Sequence, residues 1–377
     1  MRTVIVQQDL MTAWGRGMDS CWAGLLSGRP AFSDVTAFST KAFSAHLAAL
    51  VPGLETTTEE SRVMRMVTPL LGPLAGTLPP DTLVLLATTT GEVDLLERAM
   101  LEPASCRLTG DESRMDVLLG RVQRLLGVTG PGRIISAACA SSSAAVAQGA
   151  ALIAARGWDS VLVVACDAVT EFVYAGFASL MALDPDGARP FDVARKGLTV
   201  GEGAATVWLM SEERARRENR CRLGEVAGWG LSCDANHMTG PSRDGDGLAR
   251  AITKALARAE LGNGAIGSIS AHGTGTPFND SMEMKAFRRV FPNRPVPVYS
   301  VKGSLGHTMG AAGLIEMLVA LKSMEAQVVP PSANLHQVDP EAEGWVSPTA
   351  VRTTGMNAVL STNSGFGGVN AALVLKS

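Results

Sequence analysis

The chain has 377 residues, 46% of them hydrophobic and 18% charged, with a formal net charge of −3. That composition supports a substantial buried core, excludes a disordered chain and offers no overall basic field for nucleic acid. Six cysteines (Cys21, Cys106, Cys139, Cys166, Cys221 and Cys233) include no CxxC pair, which fits free thiols in a reducing compartment and neither a disulfide framework nor a zinc or other metal site.

In chain order, the opening "MRTVIVQQDL" lacks the apolar stretch of a signal peptide. No apolar run further on reaches the roughly 18 residues that a membrane span needs. A soluble, cytoplasmic globular protein is expected, with no membrane and no nucleic acid as partner. "TLVLLAT", from residue 82, reads as a buried strand. "MDVLLGRVQRLLG", from 115, carries apolar residues at helical spacing. "CASSSAAVAQGAALIAA", from 139, is a Gly/Ala-rich helix start, and "SVLVVACDAV", from 160, is a strand. "VGEGAATVWLMS", from 200, is a glycine turn followed by a strand, and the charged "SEERARRENRCRLGE" after it reads as a solvated helix end. The second part of the chain runs through the helix "LARAITKALARAEL", the strand "VPVYSV", another Gly/Ala-rich helix start, "HTMGAAGLIEMLVALKS", and the turn and strand "GFGGVNAALVLKS". This alternation argues for α/β layers around a largely central sheet.

The last two segments echo "CASSSAAVAQGAALIAA" and "VGEGAATVWLMS". Cys139 precedes Gly201 by 62 positions, and His307 precedes Gly365 by 58. An internal duplication is expected, with halves at 1–215 and 216–377 whose two helix starts point into one cleft.

Cys139 heads its helix among small neighbours, where the positive end of a helix dipole favours the thiolate, the nucleophilic form. "SAHGTGTPFND" places His272, and "VKGSLGHTMGAAG" places His307, each beside glycines directly after a strand-like run. Loops at strand ends are where α/β folds present catalytic groups. A Cys-His-His set without a carboxylate to orient an imidazole speaks against protease-type hydrolysis.

Six ordered blocks carry a resemblance. They are "ACASSSA", "RPFDVARKGLTVGEGAA", "DANHMTGPS", "AHGTGTPFND", "VKGSLGHTMGAAG" and "NSGFGGVNAAL", and they span roughly residues 130 to 377. Together they resemble an elongating β-ketoacyl-acyl carrier protein synthase. The resemblance implies a thiolase fold, with two pseudo-symmetric α/β halves in a five-layered α-β-α-β-α arrangement. It also implies decarboxylative Claisen condensation of an acyl thioester with a malonyl thioester, in fatty acid or polyketide biosynthesis. Cys139 would be the acyl-accepting nucleophile, in the N-terminal half. His272 and His307, in the C-terminal half, would donate hydrogen bonds to the enolate left by decarboxylation, as neutral imidazoles.

Lys302 and Glu283 match a supporting charged pair, read as orienting the second histidine and its loop. Phe366 corresponds to a gating aromatic whose backbone N–H joins that of Cys139 in an oxyanion hole. Thr274 and Thr276 match positions that bond the phosphopantetheine arm, and Phe177 a wall of the acyl pocket. Arg62 and Arg65, in "ESRVMRM", fall in the family's docking region for an acidic carrier protein. No free cofactor is implied, because substrates ride on the carrier's phosphopantetheine. A homodimer, or a heterodimer with a chain-length-factor-like subunit, is the expected assembly.

Departures from the family pattern are specific. "VIVQQDLMTAWG" lacks the glycine-rich turn after the first strand, and Met181 stands where an arginine often assists docking. The stretch from "TTTGEVDLLERAML" to "LLGVTG" is short, which leaves chain-length preference open. Leu198 replaces a phenylalanine beside the nucleophile, widening the pocket near the thioester. Three other readings compete: an acyltransferase or thioester hydrolase that forms no C–C bond, a non-catalytic docking subunit, and a biosynthetic thiolase. Both histidines argue against the first and Cys139 against the second. The third wants a second cysteine near the C-terminus, whereas the last here is Cys233.

Overall fold

The computed structural model describes residues 1–54, 60–101 and 111–377. Cys106 and part of the shortened stretch lie outside the described residues. Ten strands form the main path of one sheet: β1 (Thr3–Thr12), β2 (Leu83–Ala87), β3 (Gly132–Ile135), β4 (Ser160–Asp167), β5 (Gly203–Ser211), β6 (Gly224–Cys233), β7 (Ile269–Ser270), β8 (Val298–Tyr299), β9 (Ala358–Gly365) and β10 (Val369–Lys376). They lie in the order β8-β7-β9-β10-β6-β1-β5-β4-β2-β3.

Outward from the central β1–β6 seam, each set of five runs in the same internal order, first-fifth-fourth-second-third. The strand directions repeat as well. β2 is parallel to β3 and β4, as β7 is to β8 and β9, while β4–β5 and β9–β10 are antiparallel. The seam is a short antiparallel pairing, Val4 with Glu225 and Ile5 with Gly224. The run "VPVYSV" yields only the two-residue β8, paired in parallel with the equally short β7. The charged "SEERARRENRCRLGE" contributes a six-residue helix, Glu212–Arg217.

Two helices start at the segments that looked alike, α1 (Ser141–Ala154) and α2 (Ala312–Ala326). Their small residues allow close approach: the N–H of Leu314 donates to Ser142 Oγ at 2.9 Å, and a Cβ on Gly313 would sit 2.1 Å from Ser143 Oγ. Both helices are buried over most of their length, and the apolar residues of α2 belong to the core with Leu85, Val163 and Leu373 from the sheet. Burial of apolar area on both faces of the sheet at about 25 cal/mol per Å² is the main drive for this layering. No described helix is long and apolar enough to cross a membrane.

Candidate active site

Cys139 sits in the turn between β3 and α1, after Ala138 at φ 49°, and is 7% exposed. The turn abuts the other glycine-rich segment: a Cβ on Gly365 would lie 3.0 Å from Ala137 O and 3.1 Å from Cys139 N. Only glycine lets the two backbones meet there. This explains the small residues around the thiol, which make room for another chain segment.

The Cys139 sulfur and a ring nitrogen of each of His272 and His307 lie within 4.8 Å of one another. The two imidazoles meet edge to face, ring centroids 5.2 Å apart. A cysteine and two histidines more than a hundred positions downstream of it thus form one buried cluster, the juxtaposition the sequence predicted. Burial pushes the Cys139 thiol up to about 11, against the pull of the Lys302 ammonium and of the backbone N–H groups of Phe366 and Cys139; the Asp167 carboxylate adds to the rise. The expected resting thiolate is therefore corrected. α1 begins two residues beyond the sulfur, and desolvation outweighs its dipole.

Burial also holds both imidazoles well below their ordinary value, aided by Lys302. They are neutral at physiological pH, and their tautomers follow from their neighbours. Lys302 Nζ lies 3.2 Å from His272 Nδ1, and an ammonium can only donate. The N–H of Met309 donates to His307 Nδ1 at 3.3 Å. In both rings Nδ1 accepts, so the proton is assigned to Nε2.

The Lys302–Glu283 pairing is not formed. Lys302, 1% exposed, donates instead to Glu316 Oε1 and to the carbonyl of His272 at 2.5 Å. It therefore orients the first histidine, not the second. Glu283 accepts from the backbone N–H of His272 at 2.7 Å and of Gly273 at 2.6 Å, and from Asn279 at 2.8 Å. Burial and the neighbouring Asp280 carboxylate push Glu283 up to about 8. Its place is to shape the His272 loop. Glu316 and Asn363 are the residues that sequence reasoning missed; Asn363 Nδ2 donates to Glu316 Oε2 at 2.6 Å and lies 3.4 Å from His272 Nδ1. The available signal was a lone carboxylate inside the apolar run "GLIEMLVAL".

Two cavities meet at Cys139. One, of about 510 Å³, is lined by His272, His307, Thr274, Thr276 and Leu198 and carries Lys196 on its wall. The other, of about 570 Å³, is lined by Thr89, Thr90, Val173 and Met309. Phe177, Leu180 and Phe366 border both. The Phe177 ring lies tilted, its centroid 6.0 Å from that of Phe366 and 6.3 Å from that of His307. The Thr274 and Thr276 hydroxyls lie 2.8 Å apart. Leu198, 4% exposed, falls on the histidine side.

Arg62 lies mostly out of solvent, its side chain 14% exposed. It donates to both oxygens of the fully buried Glu202, at 2.5 and 2.6 Å, and to Leu54 O. Its guanidinium ties helix Arg62–Leu71 to the sheet, because a buried carboxylate needs a partner more than the surface does. Arg65 is half-buried on the same helix.

A cysteine at the head of a buried helix, with two neutral imidazoles between repeated α/β halves, defines a thiolase-fold acyl-transferring enzyme. The N-terminal domain of β-ketoacyl synthases matches residues 77–215 and the C-terminal domain residues 223–336. The chain belongs to the β-ketoacyl synthase family, whose reaction is the Claisen condensation of fatty acid and polyketide synthesis. It is 31% identical over 417 residues to a polyketide β-ketoacyl synthase from Streptomyces virginiae, covering 100% of this chain and 98% of that one. It is 29% identical to 3-oxoacyl-(acyl-carrier-protein) synthase 2 of Vibrio harveyi, again over 100% and 98%. Among solved structures, the ishigamide ketosynthase/chain length factor superposes with a TM-score of 0.92 at 31% identity, covering 100% and 99%. A β-ketoacyl synthase from Burkholderia phymatum gives 0.87 at 28%, with the same coverage.

Proposed function

We propose that Cys139 accepts an acyl group from a carrier-protein thioester and that His272 and His307 drive condensation with malonyl carrier protein. The observation that carries this reading is the pair of buried imidazoles with ring nitrogens within 4.8 Å of the Cys139 sulfur, each with its Nδ1 facing a donor. A thiol this high keeps its proton at rest, so acylation moves that proton to the departing pantetheine sulfur as the new thioester forms. Malonyl decarboxylation then releases carbon dioxide and leaves an enolate, whose oxygen takes hydrogen bonds from both Nε2–H groups. Such donors are each worth about 2.7–4 kcal/mol of barrier. The enolate carbon attacks the Cys139 thioester, the carbonyl oxygen gathers charge on the N–H groups of Cys139 and Phe366, and collapse expels the Cys139 thiolate. That thiolate takes a proton from water, closing the cycle.

Thr274 and Thr276 hold the pantetheine arm in the histidine-side cavity, and Leu198 leaves room beside the thioester there. The growing chain occupies the second cavity past Phe177, with Phe366 between the two. Arg65 and Lys196 steer an acidic carrier. The chain divides into halves at 215/216 and acts in the cytoplasm, consistent with the free Cys21, Cys139, Cys166, Cys221 and Cys233. It assembles as a homodimer or with a chain-length-factor-like subunit. The exposed Leu96, Met100 and Leu101 of the helix Val93–Leu101, and the exposed Phe172 on the second cavity's wall, are apolar surface for such a neighbour.

The test is incubation with acyl and malonyl carrier proteins followed by intact-protein mass spectrometry. An acyl adduct on Cys139 followed by a 3-ketoacyl carrier is expected. An adduct that only hydrolyses or transfers overturns condensation.

A further inference from the structure

We propose that Asp167 is a positioning residue that ties the turn carrying His307 to the Thr88–Thr90 wall of the second cavity, an inference that rests on the condensing role given above. Asp167 is the last residue of β4 and is fully buried. Its Oδ1 accepts from Thr88 Oγ1 at 2.7 Å and from Thr90 N at 3.2 Å. Its Oδ2 accepts from Thr89 Oγ1 at 2.8 Å, from Thr89 N at 3.0 Å and from Gly310 N at 2.7 Å. The donors come from two loops more than two hundred residues apart in sequence. A Cβ on Gly310 would stand 2.6 Å from Oδ2 and 3.0 Å from Thr89 N, so the contact is closed to any other residue.

From this tie the path to the reacting groups is short. Gly310 follows Met309, which is held at φ 51° and whose N–H donates to His307 Nδ1. That hydrogen bond sets the tautomer presenting Nε2–H to the substrate. On the other side, Thr89, Thr90 and Met309 all line the second cavity. One carboxylate therefore fixes both the histidine's register and the wall against which an acyl chain lies.

A carboxylate is the group this geometry demands. Fixed backbone N–H groups approach both oxygens, and an amide has only one oxygen to offer. Asparagine would leave Gly310 N–H or Thr90 N–H facing an NH₂ group. No salt bridge to Asp167 is formed among the described residues; burial raises its carboxyl above the usual range, while the hydrogen bonds from Thr88, Thr89 and Thr90 favour the charged form. The charged groups acting on the Cys139 sulfur are Lys302, which favours the thiolate, and Asp167, which opposes it; the two imidazoles facing it are neutral.

This yields a readout that a merely structural role would not move. Asp167→Asn removes an opposing charge, so iodoacetamide alkylation of Cys139 near neutral pH should become faster than in the parent protein. Condensation should fall by roughly 10²-fold, the scale on which a displaced catalytic group loses rate. Thr89→Val keeps the charge while removing one tie; it should condense more slowly without accelerating alkylation. The tie is overturned by a folded Asp167→Asn that condenses at the parental rate, or one in which alkylation and condensation fall together. If Asp167→Asn does not fold, Thr89→Val decides, and a parental rate there overturns the tie. A parent protein that neither releases carbon dioxide from malonyl carrier nor condenses overturns the ketosynthase reading instead. Condensation by the parent beside an unaffected Asp167→Asn overturns only the positioning role.

Discussion

Around His272 the supports are side chains: Lys302 against Nδ1, with Glu316 and Asn363 behind it. Around His307 the support is the main-chain N–H of Met309, two residues along the same turn. Both arrangements leave a neutral ring with its proton on Nε2, but they fail differently. A charged support can be removed by one substitution and tuned by pH. A backbone support changes only if the turn moves. The pair shows one outcome, an uncharged ring whose Nδ1 accepts, reached once by electrostatics and once by chain geometry.

The largest expected effect comes from removing either ring. His272→Ala and His307→Ala should each raise the barrier to malonyl decarboxylation by about 2.7–4 kcal/mol while leaving Cys139 open to acylation. Carbon dioxide release and the acyl adduct, measured separately, check this. Decarboxylation persisting at the parental rate in both variants would remove the enolate-donor role from the histidines.

Lys302→Met sharpens the contrast further. Rates should fall by about 10²-fold as His272 loses its orienting donor. Leaving Glu316 without its charged partner should cost about 3–5 kcal/mol of stability unless that carboxyl takes up a proton. The pH profile carries the sign. In the parent, burial and Lys302 depress the imidazoles, so each is neutral through the physiological range and binds a proton only in acid. Without the ammonium, His272 should protonate at higher pH, and the acid limb of the activity profile should move upward. The same depression makes the fold acid-labile: the unfolded chain binds protons that the native state excludes, so stability is lost as pH falls below the ordinary histidine value. An unmoved acid limb would show that Lys302 does not govern His272.

Much of this was legible in the sequence because the candidate reacting groups sit in short motifs. Cys139, His272 and His307 each stand in a glycine- or alanine-rich turn, and glycine there marks the close approaches seen at Gly365 and Gly313. The matched turn-and-strand segments pointed to an internal duplication, whereas the strand order within each set of five was not legible. Partners set by tertiary packing were not legible. Glu283 and Glu316 are both acids near a histidine motif, and only the path of α2 through the core decides which one meets Lys302. Asp167 looked like the end of a buried strand because its donors lie on two other loops. The thiol was misjudged for a related reason: the helix dipole is visible in sequence, whereas desolvation depends on everything folded over it.

Arg62 and Arg65 extend the comparison to the helix Arg62–Leu71, where Arg62, a candidate docking contact, also ties the helix to Glu202. Arg62 lies mostly out of solvent against a carboxylate that also accepts from the N–H groups of Val51 and Val169. Arg62→Ala should lower stability by about 3 kcal/mol, since it strands Glu202 in the interior. It should leave KM for the carrier substrate near the parental value at temperatures where the protein stays folded. Arg65→Ala should do the opposite, with stability within about 0.5 kcal/mol of the parent and a raised KM that grows less distinct as salt is added. Thermal melts and carrier titrations at two ionic strengths separate the two. A raised, salt-sensitive KM in Arg62→Ala with an unchanged melting temperature would return Arg62 to the docking surface, and would mean that Glu202 finds another partner when the guanidinium is gone.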